Sequence, residues 1–112
     1  MKMKKLIKKL QGIIKLQNLL IFVLIFFMIG MTFNFLAIKN NEGRMPVLNT
    51  NYDTKTHFGY TNFSEIEFAI FSDNYSFLGY IHSLGDIFMY FSGIAIILLA
   101  ITIIFKFSKL NK

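Results

Sequence analysis

Cysteine is missing from this chain, and tryptophan with it; proline and arginine occur once each, as Pro46 and Arg44, and histidine only twice. Without cysteine there is no disulfide staple, no thiolate metal site and no cysteine nucleophile, whatever compartment the chain occupies. Also missing are HExxH, GxSxG, a P-loop and any carboxylate spacing that would pair an acid with a base, so the chain reads as non-enzymatic. His57 and His82, with Asp53 and Asp86, are too scattered to specify a metal site, and no cofactor is implied. Charge is scarce too, at 16% of residues against 54% hydrophobic and 17% aromatic, with a mean hydropathy of +0.53. That balance describes a small membrane protein rather than a soluble domain.

The few charges are sorted along the chain. Six lysines precede Leu16 and three follow Phe105, whereas all six acidic residues lie between Glu42 and Asp86 with only Lys39, Arg44 and Lys55 against them. The ends therefore carry +9 and the middle −3. Residues 1–15 place Met3, Leu6, Ile7, Leu10, Ile13 and Ile14 on one side of a helix and lysines on the other, the pattern of an amphipathic basic helix on a membrane surface, where anionic lipids are its natural partner. Nucleic acid is not, because no aromatics interleave the lysines and the segment is tethered to a span.

Residues 19–38 and 87–105 contain no charge, and about 20 residues at roughly 1.5 Å each cover a hydrocarbon core. The first lacks a small-x-small cleavage site and reads as an uncleaved anchor. Within it Gly30 and Asn34 share a face, and the amide is expected to bond another helix. Ser83 and Asp86 form a capping pair at the start of the second span. Basic ends place both termini in the cytoplasm, with residues 39–85 outside and 106–112 as a cytoplasmic tail.

Between the spans, Asn49 to Thr56 reads as loop. Ser64-Glu65-Ile66-Glu67 opens a short surface helix reaching about Phe71, although the alternation of Ile66, Phe68 and Ile70 also fits a strand. The five tyrosines at 52, 60, 75, 80 and 90 suit an interfacial belt. The corner 40–47 concentrates the rare residues: Pro46 turns the chain, and Arg44 is expected to pair with Asp86 across the helix ends, to bind lipid phosphate, or to cap the carbonyls at the end of the first span.

Gly30, Asn34, Ile38, the run Gly43-Arg44-Met45-Pro46-Val47 and the run Ser83-Leu84-Gly85-Asp86 with Gly93 resemble a family of small bacterial integral membrane proteins of unknown function. Its members have an Asn-Gly-Gly-Arg-Met-Pro-Val-like corner and a Ser-Ile-Gly-Asp-like start of the final span. The likeness covers about residues 30 to 93. Glu42 stands where the pattern has a first Gly, and Leu78-Gly79-Tyr80 resembles a Leu-Gly-Asp with its acid replaced. The fold expected is an all-α membrane protein, a two-helix transmembrane hairpin with an N-terminal amphipathic basic helix and a structured extracytoplasmic loop. The function expected is an interaction or accessory subunit, bound to a membrane-protein partner or to itself. The alternative is a binding or transport module holding an anionic headgroup or peptide at Asn34, Asn40, Asn41, Arg44, Pro46 and Asp86. A toxin or immunity peptide is a further reading.

Overall fold

In a computed structural model, described here over residues 1–51 and 53–110, two long helices carry a small mixed sheet at one end. Helix α1 spans Lys2–Lys39 and helix α2 spans Leu84–Leu110. Between them lie strands β1 (Met45–Leu48), β2 (His57–Tyr60), β3 (Asp73–Phe77) and β4 (Tyr80–Ser83), with 3₁₀ turns at Phe63–Glu65 and Ala69–Phe71. The long axis measures 66 Å against 24 and 19 Å across.

Helix α1 runs unbroken for 38 residues. No proline or glycine stands between Ile13 and Ile29 to interrupt it, and the asparagine at 18 stays helical, so the basic segment continues into the apolar run instead of forming a separate surface helix. The helix ends where Glu42 and Gly43 adopt φ of +61° and +78°. There the amides of Asn40 and Gly43 return to the carbonyls of Leu36 and Ile38, and the side chains of Asn40 and Asn41 bond the carbonyls of Leu36 and Ala37. These bonds satisfy the carbonyls left over in the last turn. The chain is thus turned at Glu42-Gly43, not at Pro46.

The sheltered residues of α1 recur at alternating spacings of three and four: Ile13, Leu16, Leu20, Val23, Phe27, Gly30, Asn34 and Ala37. Gly85, Met89, Ser92, Ile96, Leu99 and Ile103 repeat the pattern on α2. A heptad seam of this kind packs two helices along their length. Near the sheet the seam is built of small residues and the backbones come close: a Cβ on Gly30 would lie 2.7 Å from the Gly85 carbonyl, and one on Gly85 would overlap the Gly30 carbonyl and Asn34 Oδ1. The outward sides of both helices stay bare. Only 6% of the most apolar window of each is buried, and both are long and apolar enough to cross a membrane.

The sheet overturns the all-α expectation. Its order is β2-β1-β3-β4. Strand β1 pairs in parallel with β2 from Met45↔His57 to Leu48↔Tyr60 and meets β3 in parallel at Val47↔Asp73, while β3 and β4 form an antiparallel hairpin. Pro46 sits within β1 and is fully buried. The Met45 amide donates to the Thr56 carbonyl, so by alternation position 46 faces away from β2, on the side where β3 joins only at Val47; no ladder bond is lost to the proline. The β1–β2 connection folds back so tightly that the Thr50 carbonyl rests on Gly59, where any Cβ would collide.

The helix expected from Ser64 is absent. Asn62 rather than Ser64 caps the turn, its Oδ1 accepting from the Ser64 amide at 3.1 Å, and Ile66 is already extended at φ −121°. The layer is fastened to the helices in two ways. Phe71 stacks on Phe33 of α1 at 4.3 Å, and the Asn41 amide bonds both the N–H and the carbonyl of Glu67. Of the expected tyrosine belt, Tyr60 is instead buried in the outer layer, Tyr75, Tyr80 and Tyr90 are exposed, and Tyr52 lies outside the described residues.

Candidate functional site

The six residues singled out in the sequence do not converge. Asn34 and Asp86 meet at the seam: Asn34 Nδ2 donates to Asp86 Oδ1 at 2.8 Å, and Ser83 Oγ donates to Asn34 Oδ1 at 2.5 Å. Ser83 also caps α2, as its spacing to Asp86 predicts. The Asp86 amide bonds Ser83 Oγ at 3.0 Å, and Asp86 Oδ2 accepts from the Ser83 amide at 3.2 Å. Serine, amide and carboxylate are matched to one another, so this trio is a clamp between helices with little left to offer a ligand.

Arg44 is elsewhere, and the expected Arg44–Asp86 pair does not form. Its Nη1 lies 2.7 Å from Asp53 Oδ1 and 3.3 Å from the Thr54 carbonyl, and the guanidinium lies over the Phe58 ring at 4.9 Å. The physical reason is Pro46's place in β1: strand pairing carries Arg44 alongside β2 and its preceding loop, whereas Asp86 is already engaged by Asn34. With Asp53 88% exposed, the ion pair adds less than about 1 kcal/mol. Asn40 and Asn41 are occupied by the end of α1, and Pro46 is covered. The anion pocket that these residues were expected to line is not assembled.

A different place has the features of a site. A pocket of about 520 Å³ opens over one face of the sheet and draws on all four strands, through Val47, His57, Asp73, Tyr80 and Ile81, with Thr54 and Thr56 at its border. The parallel registers set Val47 opposite Gly59 on β2 and Asp73 on β3, with His57 opposite Met45 at the start of the same ladder. Asp73 is buried at 6% exposure. Its Oδ2 faces His57 Nε2 at 3.5 Å, and its Oδ1 has no hydrogen-bond partner among the described residues. On its other side the imidazole shares a hydrogen bond with Thr56 Oγ1 at 2.8 Å.

Burial pushes the Asp73 carboxyl up to about 7, and the negative charge of Asp86 adds to the effect. The Tyr60 hydroxyl, behind the strand, is raised by burial as well, against the opposing pull of its bonds to Ser72 and Asn74. Ser72 and Asn74 both reach the Ala69 carbonyl, which ties the second 3₁₀ turn to β3. Asp73 is therefore held from its neighbours on both sides while its own oxygen is bare.

Sequence reasoning missed Asp73. The available signal was an acid inside Ser72-Asp73-Asn74, a polar triple between apolar runs, but nothing local marks it as buried. His57 was considered only with Asp53, His82 and Asp86, and these scatter: Asp53 to Arg44, Asp86 to Asn34, and His82 to Tyr90, whose hydroxyl is 3.1 Å from His82 Nδ1. Among the described residues no three His, Cys, Asp or Glu side chains gather where they could hold a metal ion. Set against protein families, curated proteins and solved structures, the chain matches none.

Proposed function

We propose that this chain is a small non-enzymatic protein of the bacterial plasma membrane, an accessory or interaction subunit that presents its sheet outside the cell to a membrane-protein partner or to a second copy. The bare apolar sides of α1 and α2 support two crossings, and the lysines at the far end support cytoplasmic termini. Those lysines converge as well: Lys8, Lys9, Lys106 and Lys109 line a cleft between the helices beside Gly12, which suits the phosphates of anionic lipids.

The observation that carries it is Leu78. Leu78 and Gly79 form the two-residue turn between β3 and β4, with φ of +50° and +79°, the conformation that favours Asn-Gly or Gly-Gly. Leucine is disfavoured there by its Cβ, and at 80% exposure it contributes nothing to the core. Tyr80 beside it is 72% exposed, on the free edge of the sheet. A residue that suits neither the turn nor solvent is explained by what it touches outside the chain, and a free strand edge offers that partner a ladder of backbone bonds.

The test separates folding from recognition. Leu78→Asn should leave the protein folded, and more stable by up to about 1 kcal/mol because asparagine tolerates the left-handed turn. Purification in mild detergent should yield stoichiometric protein with the wild type, either a second polypeptide or a homo-oligomer by mass, and lose it with the variant. Retention of the same assembly by Leu78→Asn would overturn the proposal.

A further inference from the structure

The pocket over the sheet has one unusual member. Asp73 has a buried carboxylate oxygen that no group among the described residues meets, in a segment whose charge from Lys39 to Asp86 is −3. A buried acceptor without a donor is destabilising, and an ionised one more so. The groups around it do not remedy this. His57 reaches only the other oxygen, Asp86 is itself negative and engaged by Asn34 and Ser83, and the Tyr60 hydroxyl is turned to Ser72 and Asn74. Tyr90 also lies within the field of Asp73, but its hydroxyl meets His82. What the position lacks is an N–H donor with positive charge, because a neutral hydroxyl would supply the bond without compensating the carboxylate. Val47, Tyr80 and Ile81 form apolar and aromatic walls, with the hydroxyl-bearing Thr54 and Thr56 at the border, and tyrosine is a favourable neighbour for a cation.

We propose that this face of the sheet binds an organic ammonium ligand, whose positive charge is held by the Asp73 carboxylate and whose carbon skeleton rests on Val47, Tyr80 and Ile81. The site goes beyond the accessory reading and does not depend on it, since the pocket is complete within one chain. The negative outer segment draws cations toward it, and the pocket admits a ligand of modest size. Because the carboxyl ionises near neutrality, the ammonium is held when Asp73 is charged and released when it is protonated.

Benzylamine is a suitable probe, with benzyl alcohol as its uncharged counterpart, added to the full chain in detergent and read by NMR of the two histidines. His57 lines the pocket and His82 does not, so His82 reports on the fold and on partition into the micelle. At about pH 8 benzylamine should shift the His57 resonances saturably and leave His82 unmoved, with benzyl alcohol binding about tenfold or more weaker. At about pH 5.5 the affinity for benzylamine should fall about tenfold or more, as expected for a carboxyl that titrates near 7. Charge on His57 would act in the same direction, so Asp73→Asn is the deciding variant: it keeps the shape of the side chain and should lose about tenfold in affinity at the higher pH. Tyr80→Ala, at an exposed position where folding is not at stake, should weaken binding several-fold. Equal binding of amine and alcohol, unchanged affinity in Asp73→Asn, or a folded protein with no saturable His57 shift would each overturn the assignment.

Discussion

Asp73 is buried because of where β3 falls, not because of anything in its immediate neighbours, and its titration makes that placement measurable. Its carboxyl ionises near 7 in the folded protein and near 3.9 in an unfolded chain. The folded state therefore holds a proton that the unfolded state has released between these values. The contribution to stability is present in full below about pH 4 and is lost as pH rises through 7. Three pKa units correspond to about 4 kcal/mol as an upper bound. Denaturation of the full chain in detergent, followed by circular dichroism, should show stability falling from pH 5 to pH 8 by a sizeable part of that amount. Asp73→Asn should remove the slope and be the more stable protein at pH 8. A wild type whose stability rose with pH over this range would place the charge of Asp73 in a compensated environment. At this same scale Asn34 and the Ser83–Asp86 cap were legible in the sequence, since an amide in a charge-free run and a capping pair announce themselves locally. Asp73, Leu78 and the pairing of Arg44 with Asp53 were not, because each depends on which strands lie side by side.

Among the elements, the helices were readable and the sheet was not. Charge-free runs locate the apolar lengths of α1 and α2 without reference to anything distant, although the lysines of residues 2–15 continue α1 instead of bounding it. The strands are only four or five residues long, two of them contain a proline or a glycine that argues against a strand, and a short parallel pairing leaves no alternation to detect. The seam gives the most discriminating test at this scale, because two glycines of the same helix should respond oppositely to one substitution. At Gly85 a methyl group would overlap Asn34 Oδ1 and the Gly30 carbonyl, forcing the helices apart and breaking the Asn34–Ser83–Asp86 clamp. Gly85→Ala should cost about 1 to 3 kcal/mol. At Gly93 a Cβ meets nothing within 4 Å, and Gly93→Ala should stabilise α2 by up to about 1 kcal/mol through helix propensity alone. Thermal unfolding in detergent reads both, and similar effects at the two positions would mean that the helices do not meet at Gly85.

For the whole molecule the decisive question is which way it lies in the membrane, and the hairpin makes the answer internally checkable. Gly30 meets Gly85 at one end of the seam, and Gly12 lies beside Lys106 at the other. The helices are therefore antiparallel over the full seam, about 36 Å along α1 from Ile13 to Ala37 at 1.5 Å per residue. That length matches a hydrocarbon core of about 30 Å, so a hairpin that crosses a membrane would put the lysine-bearing ends and the sheet on opposite sides. Since the chain has no cysteine, single cysteines can report on each side without background. Lys4 and Lys55 are both exposed, one near the start of α1 and the other in the loop before β2. In intact cells an impermeant maleimide should label Lys55→Cys to completion and leave Lys4→Cys unlabelled until the membrane is opened, because the nine lysines of the two terminal segments of the sequence outweigh the three basic residues between them. The reverse pattern would invert the molecule and put the Asp73 pocket in the cytoplasm. Labelling of both positions in intact cells would show that the pair of helices does not cross, and the apolar sides of α1 and α2 would then need a protein partner to cover them.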